Sequence, residues 1–295
     1  MDPRQLETAF QTQSEIRALL DAHGGHPKKR FGQCFLIDRN LMHKLLLSAD
    51  LQSTDCVLEV GTGTGSLTGL VAATGANVVT VEVDPDVLEI AQERLSDCER
   101  ITFLLVDALE GKRSVSPSLV DALMQAHVAS GGKLKLVANL PYDIATPLVM
   151  NLLLSNLPFE RMCFTVQTEV ADRFLAKPCT KDYGPVSIVT QLLAVGHRIC
   201  KLPARAFWPA PKVESSMVRL DVRPREESQA NDTAGFAEFV HLFFNYRRKT
   251  VAHTARHLSI ADKVLPALDQ LGIAHNVRPE EMGVAEWAAL FSLSR

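Results

Sequence analysis

The chain has 295 residues, 46% hydrophobic and 22% charged, an ordinary globular composition. No apolar run reaches the ~18 residues of a membrane-spanning helix, and the polar start MDPRQLETAFQTQSEIRALL lacks the apolar core of a signal peptide, so no membrane association is expected. With 31 Lys+Arg against 34 Asp+Glu the net charge is −3, which does not mark the chain as a general polyanion binder.

The charge is unevenly spread. Residues 1–160 carry 13 Lys+Arg against 20 Asp+Glu, a net of −7, and residues 161–295 carry 18 against 14, a net of +4. Two short basic runs stand out, Lys28-Lys29-Arg30 and Arg247-Arg248-Lys249. The plain reading of such runs is solvated surface. The cysteines at 34, 56, 98, 163, 179 and 200 form no C-x-x-C pair, so neither a zinc site nor a disulfide framework is expected, and most sit in or beside apolar runs, as reduced thiols of a cytoplasmic protein do.

In chain order, short apolar runs at 56–60, 78–83, 101–106, 134–138 and 162–166 read as strands, with helix-like stretches at 66–74, 85–95, 117–128 and 145–155 between them. Near-continuous apolar strands alternating with helices predict an α/β fold whose parallel sheet is covered on both faces. Residues 110–132 read as a surface helix between Ser- and Gly-rich loops, too polar for the core. EVADRFLAKP (169–178) reads as a short helix. Residues 186–199 and 213–222 then read as two longer strands without a crossover, an antiparallel pair at one sheet edge. RPREESQANDT (223–233) holds few apolar residues and reads as a linker. Beyond it the pattern is helical, with a small core expected from Phe236, Phe239, Val240, Phe243, Phe244, Leu265, Leu268, Leu271, Trp287, Leu290 and Phe291. Two domains are expected: 1–224, with an N-terminal arm over 1–30, and 225–295.

LEVGTGTGSLT follows the first of the core strands and opens a helix. Gly61, Gly63 and Gly65 allow backbone to approach a ligand because no Cβ intervenes, at the sheet edge where doubly wound folds bind ligands. A tight strand–helix turn is the plainer explanation of the glycines alone. Their spacing is not G-x-G-x-x-G, and no phosphate-binding G-x-x-x-x-G-K-[ST] is present. Glu82 ends the second core strand, where a carboxylate can accept both ribose hydroxyls. Asp107 ends the third and can accept from an adenine amino group. Signals at three successive strand ends point to S-adenosylmethionine.

ANLPY ends the fourth. The Asn139 side-chain oxygen and the Leu140 carbonyl are two acceptors, and Pro141 stiffens the turn without donating. Tyr142 offers a face on which a base can stack. The set suits an exocyclic amine of a nucleobase, whose lone pair is localised as its two protons are held; a strand-ending Asn, a Pro turn and a core-rim Tyr would account for the same residues without function.

KKRFGQCFLID (28–38), LEVGTGTGSLT (58–68), VEVD (81–84), VDAL (106–109), ANLPYDIATPL (138–148), QTEVADRFLAKP (167–178), FWPAPKVESSMVRL (207–220) and FFNYRRKT (243–250) together resemble the ribosomal RNA adenine dimethyltransferase family. The resemblance spans about residues 28–295. It implies a class I, Rossmann-like methyltransferase domain with a small all-helical C-terminal domain. It implies dimethylation of N6 on two adjacent adenosines near the 3′ end of small-subunit ribosomal RNA, with S-adenosylmethionine as cofactor and the immature small subunit as partner of a cytoplasmic monomer. It places Gln33 and Phe35 beside the methionine part of the cofactor, Gly61 with Gly63 and Gly65 under it, Glu82 on the ribose, and Asp107 with Ala108 on the adenine. Asn139 borders cofactor and target. Asn139, Leu140, Pro141 and Tyr142 hold the base, closed from the other side by Phe207 or by Trp208. Lys28, Lys29 and Arg30 with Arg247, Arg248 and Lys249 become RNA contacts. Cys34 departs from the family's usual Asn, and the 110–132 segment is long for the family.

Two other functions fit parts of the pattern: an N6-adenine methyltransferase of another RNA, such as large-subunit ribosomal RNA, and a non-catalytic assembly or transcription factor on the same fold. An intact glycine loop with Glu82, Asp107 and N-L-P-Y favours retained catalysis, and the glycine spacing disfavours a nicotinamide enzyme.

Overall fold

The computed structural model describes residues 9–111, 114–224, 226, 230 and 232–295, without the side chain of Lys29. The chain divides into two compact units, Met1–Ala171 with His197–Asp221, and Asp172–Gly196 with Val222–Arg295. Of the 223–233 stretch expected as a linker, residues 225, 227–229 and 231 lie outside the described residues.

In the first unit, helix α1 (Gln13–Ala22) has its N-terminus closed by a Thr12–Glu15 capping box. Strand β1 (Phe35–Leu36) and helix α2 (Arg39–Ala49) follow. Then come β2 (Cys56–Val60), α3 (Ser66–Ala72), β3 (Asn77–Glu82), α4 (Pro85–Arg94) and β4 (Ile101–Leu105). A small hairpin of β5 (Leu109–Glu110) and β6 (Ser114–Val115) precedes α5 (Pro117–Ser130). Next are β7 (Leu134–Asn139), α6 (Tyr142–Leu154), β8 (Phe159–Gln167) and α7 (Thr168–Leu175). Helix α8 (Pro185–Leu193) leads into β9 (Ala194–Leu202), then β10 (Phe207–Trp208) and β11 (Ser215–Val222).

Among the described residues the central sheet has seven strands in the order β4-β3-β2-β7-β8-β11-β9. The pairs from β4 through β8 are parallel, and β11 runs antiparallel to β8. This is a doubly wound, mostly parallel sheet. β2 and β7 are neighbours although the chain visits β3 and β4 between them, so the connections diverge at their carboxyl ends. That divergence opens a crevice where such folds bind ligands. All five residues of β2 are buried, which a strand covered on both faces requires.

Two expectations fail. Residues 185–193 are a helix, not the first half of a strand. PVSIVTQLL is apolar enough for either, but Pro185 occupies the first helical turn, where its missing N–H costs nothing, and Ile188, Val189, Leu192 and Leu193 are all buried. Helix α5 is also not a polar surface helix. Leu119 and Leu123, one turn apart, are fully buried, and the helix packs on β2 and β3, so it covers the sheet as the other crossovers do.

A buried ion pair ties the start of β2 to β7. Lys135 Nζ lies 2.8 Å from Asp55 Oδ2, with both side chains about 3% or less exposed, and it also donates to the Asp50 carbonyl at 2.6 Å. The Asp55 carboxylate further accepts from the backbone N–H groups of Gln52 and Lys133, so no oxygen is left unpaired.

The second unit holds α8 with α9 (Thr233–Phe244), α10 (Val251–His257), α11 (Ala261–Gln270) and α12 (Val284–Leu293). Its core is aromatic: Phe243 and Trp287 lie 5.5 Å apart between ring centroids, and Phe236 and Phe291 5.7 Å. The Tyr183 hydroxyl donates to the Met282 carbonyl. Among the described residues no helix is long and apolar enough to cross a membrane.

Candidate active site

At the carboxyl ends of β2, β3 and β7, within the first unit, lie two adjoining lobes of empty space of about 820 and 680 Å³. Gly61, Glu82, Val83, Phe31 and Pro141 border both. The first lobe runs past Gln33, Cys34, Phe35, Asn139 and Tyr142. The second runs past Asp107, Ala108, Asp143 and Ile144.

The glycine loop shapes the floor. Gly61 has φ of 88° and Gly63 φ of 54°, the left-handed region that favours glycine. A Cβ on Gly63 would crowd the Phe35 ring at 3.2 Å, and one on Gly61 would lie in contact with Pro141 at 3.5 Å, where the loops after β2 and β7 meet. Gly65 differs. It caps α3 and a Cβ there would meet Leu95 at 2.9 Å; it serves the packing of α3 on α4 and borders neither lobe.

Glu82 stands between the lobes, 7% exposed. Its carboxylate accepts from the N–H groups of Gly63, Val83 and Asp84 at 2.9–3.1 Å. Burial pushes its pKa up, and those three N–H groups pull against the rise. Beneath the loop, Glu59 is fully buried. Its Oε2 accepts from the Thr68 and Thr80 hydroxyls at 2.6 and 2.9 Å, and Thr62 bonds Thr80 in turn. Its Oε1 has no partner, and the residue lines the first lobe. Desolvation raises the Glu59 pKa to about 8, against the lowering effect of the two threonines.

Asn139 projects from the last position of β7. Its Nδ2 donates to the Cys34 carbonyl at 2.8 Å, and its Oδ1 accepts from the Thr165 hydroxyl at 2.5 Å. Leu140 is buried on the wall of the first lobe. Pro141 is the N-cap of α6, so Tyr142 is the first helical residue, one turn earlier than expected. The Tyr142 hydroxyl bonds Ser215 at 2.6 Å, which fixes its ring against the sheet. Burial raises its pKa.

The other expected residues divide. Phe35 and Gln33 line the first lobe, but both polar ends of Gln33 are engaged: Nε2 donates to Asp84, and Oε1 accepts from the Lys28 N–H. Asp107 lines the second lobe, and its Oδ1 accepts from the Leu109 N–H. Ala108 is buried beside it. Phe207 does not reach the cavity. It is 2% exposed in the core with Leu36, Met42 and Met217, because β10 pairs with β1 and alternation sends Phe207 inward. Its neighbour Trp208 turns the other way, onto Phe35, at 6.2 Å between ring centroids and 24° between planes. Cys34, in place of the family's Asn, contributes its backbone carbonyl, and burial raises its thiol pKa.

The basic runs also divide. Lys28 is held 2.6 Å from both Asp84 and Asp86 and is a brace, not a solvated cation. The Lys29 side chain lies outside the described residues. Arg30 is exposed, with its guanidinium over the Phe31 ring at 4.6 Å. In the second unit, Arg247 is tied to Glu280 at 2.5 Å and donates to the Thr180 carbonyl, whereas Arg248 and Lys249 are exposed. Among the described residues no His, Cys, Asp and Glu cluster is placed to hold a metal ion.

The sequence alone missed several contributors. Ile16 of α1 lines the first lobe, and the buried Gln11 accepts from the hydroxyls of Thr64 and Ser66 in the glycine loop. Thr165 and Ser215, which hold Asn139 and Tyr142, carried no local signal, because each acts across a strand boundary.

A family model of ribosomal RNA adenine dimethylases matches residues 25–294. The chain is 34% identical over 289 residues to Ribosomal RNA small subunit methyltransferase A of Natranaerobius thermophilus, covering 95% of each chain. It is 35% identical over 282 residues to the protein of that name from Pediococcus pentosaceus, covering 94% of this chain and 93% of the other. A dimethyladenosine transferase from Plasmodium falciparum superposes with a TM-score of 0.72 at 22% identity, over 86% of this chain and 94% of that one. The 23S rRNA methyltransferase ErmE does so with a TM-score of 0.64 at 24% identity, over 88% and 100%; both of these likenesses are of fold. With the match running through the glycine loop, Asn139–Tyr142 and the helical C-terminal unit, the chain belongs to the ribosomal RNA adenine dimethylase family.

Proposed function

We propose that the protein dimethylates N6 of two adjacent adenosines in the 3′-terminal stem-loop of small-subunit ribosomal RNA, using S-adenosylmethionine, in the cytoplasm and on an immature small subunit. The observation that carries this reading is the placement of Asn139 and Tyr142 on the wall of the first lobe, beside Gly61, which borders both lobes.

The cavity suits the cofactor. The carboxylate of Glu82 lies between the lobes, where it can accept both ribose hydroxyls, and Asp107 and Ala108 border the space left for an adenine. A Cβ at Gly61 or Gly63 would narrow the space between. In the methionine lobe the buried Glu59 has one carboxyl oxygen, Oε1, without a partner in the protein and free to bond a polar group of the cofactor. The cofactor supplies an electrophilic methyl group on a sulfonium.

The chain's own residues do the rest. Asn139 Oδ1 keeps one lone pair beyond the Thr165 bond and accepts an N6 proton. The Leu140 carbonyl, followed by a proline that cannot donate, is placed to accept the other. Holding both protons favours a pyramidal nitrogen with its lone pair directed at the methyl group, a gain made mainly in the transition state. Tyr142 gives a flipped base its stacking face. No side chain need act as general base at the moment of transfer. Phe207, deep in the core, is not part of this arrangement; Trp208 is the aromatic residue nearer the surface. Arg30, Arg248 and Lys249 are the exposed cations of the two basic runs that remain suited to RNA phosphates.

The test is incubation with unmethylated small subunits and methyl-labelled cofactor, followed by mapping. Label on N6 of two neighbouring adenosines of the small-subunit RNA is expected. Label on large-subunit RNA alone would favour the other-RNA reading, and cofactor binding without transfer would favour the assembly factor.

A further inference from the structure

We infer that Thr165, which nothing in the family motifs marks, is a positioning residue for methyl transfer: its hydroxyl locks the Asn139 carboxamide with its oxygen side fixed for the target amine. The inference rests on the proposed role of Asn139.

A carboxamide has a donor end and an acceptor end of nearly equal size, and turning it over exchanges them. An Asn139 turned over would present N–H to an amine that itself brings two N–H donors. The site must therefore exclude that orientation. Two partners do so. The Cys34 carbonyl only accepts, so the atom 2.8 Å away must be Nδ2. The atom facing Thr165 at 2.5 Å is then Oδ1, and the threonine must donate its single hydroxyl proton to it. Either partner alone leaves the amide hinged at one end.

The placement comes from sheet register. Thr165 on β8 is the direct partner of Asn139 on β7 and faces Met217 on β11. Paired residues share a sheet face, so the threonine stands beside the asparagine on the side of the crevice. It is fully buried, so no water competes for its proton. It borders neither lobe and so does not touch the substrate.

Thr165→Val keeps the shape and removes the donor. The single-turnover rate on unmethylated small subunits should fall about three- to tenfold, the effect of one ordinary hydrogen bond. Dissociation constants for cofactor and for the subunit should stay within twofold, and Thr165→Ser should restore the rate. A residue that only packed the core would instead shift binding and thermal stability, and serine, a smaller residue, would not rescue it. A wild-type rate in Thr165→Val overturns the inference, as does an equal loss in Thr165→Ser. If Thr165→Val does not fold, Thr165→Cys, of similar size and a weaker donor, carries the same expectation. Asn139→Ala in the same assay separates the two ideas. If it is fully active, the reading of the site fails; if it is inactive while Thr165→Val is wild type, only the lock fails.

Discussion

In the proposed reaction Asn139 and Tyr142 act at different stages, and their variants should differ accordingly. Asn139→Ala removes an acceptor whose value peaks as the amine turns pyramidal, so the single-turnover rate should drop by ~10²–10³ with cofactor affinity and fold kept. Tyr142→Ala removes the stacking face and should weaken capture of the base as well as slow its reaction. Tyr142→Phe keeps that face and loses the bond to Ser215, so a loss below about tenfold is expected. Equal damage from the two tyrosine variants would argue against stacking. Glu59 gives a pH signature. Its pKa rises on folding from 4.5 to about 8, so the native chain holds a proton that the unfolded chain releases across that interval. Stability is then full at the acidic end and declines as pH climbs toward 8. Glu82 is shifted in the same direction and adds to the decline. Glu59→Gln should flatten, not abolish, the fall in melting temperature between pH 5.5 and 8, and an unchanged slope in thermal scans would contradict the protonated assignment.

Strand pairing depends on charge as well as on apolar burial. The Asp55–Lys135 pair joins the starts of β2 and β7, the two strands whose far ends carry Gly61 and Asn139. Asp55→Ala leaves the lysine buried without its partner and should cost about 3–5 kcal/mol by denaturant titration. Adding Lys135→Met should recover part of that loss, since two absent charges are better than one stranded. Full additivity of the two costs would show that the pair is not coupled. Helix α5 makes a parallel case in apolar terms. Leu119→Ala opens a cavity against β2 and β3 and should cost about 2–5 kcal/mol, whereas a helix confined to the surface would lose little.

At the scale of the molecule the charge asymmetry narrows to a few side chains. Lys28 is neutralised by Asp84 and Asp86, and Arg247 by Glu280, so the basic runs are only partly available to phosphate. Replacing Arg248 and Lys249 together should weaken binding to unmethylated small subunits and lower the slope of log K against log salt by at most about 2, with cofactor affinity unmoved. Arg247→Ala should instead lower the stability of the helical unit with little change of slope. An unchanged slope in the Arg248/Lys249 variant would make those residues plain solvated surface.

The strands of the parallel sheet, the glycine loop and the asparagine at the end of β7 were legible in the residues alone. Each is written locally: CVLEV is an unbroken buried run closed by Asp55 and Gly61, and ANLPY pairs a strand end with a proline that must stop it. The rest came from long-range packing. PVSIVTQLL is β-branched and runs without a break into β9, so its helical state came from burying Ile188, Val189, Leu192 and Leu193, not from propensity. The polar look of 110–132 concealed Leu119 and Leu123, whose burial needs β2 and β3 beneath them. Phe207 and Trp208 are adjacent and both aromatic, and it took the pairing of β10 with β1 to send one to the core and the other to Phe35. Thr165 stands 26 residues from Asn139 in the chain, and their contact is a matter of β7–β8 register, a long-range pairing that no local pattern of residues specifies.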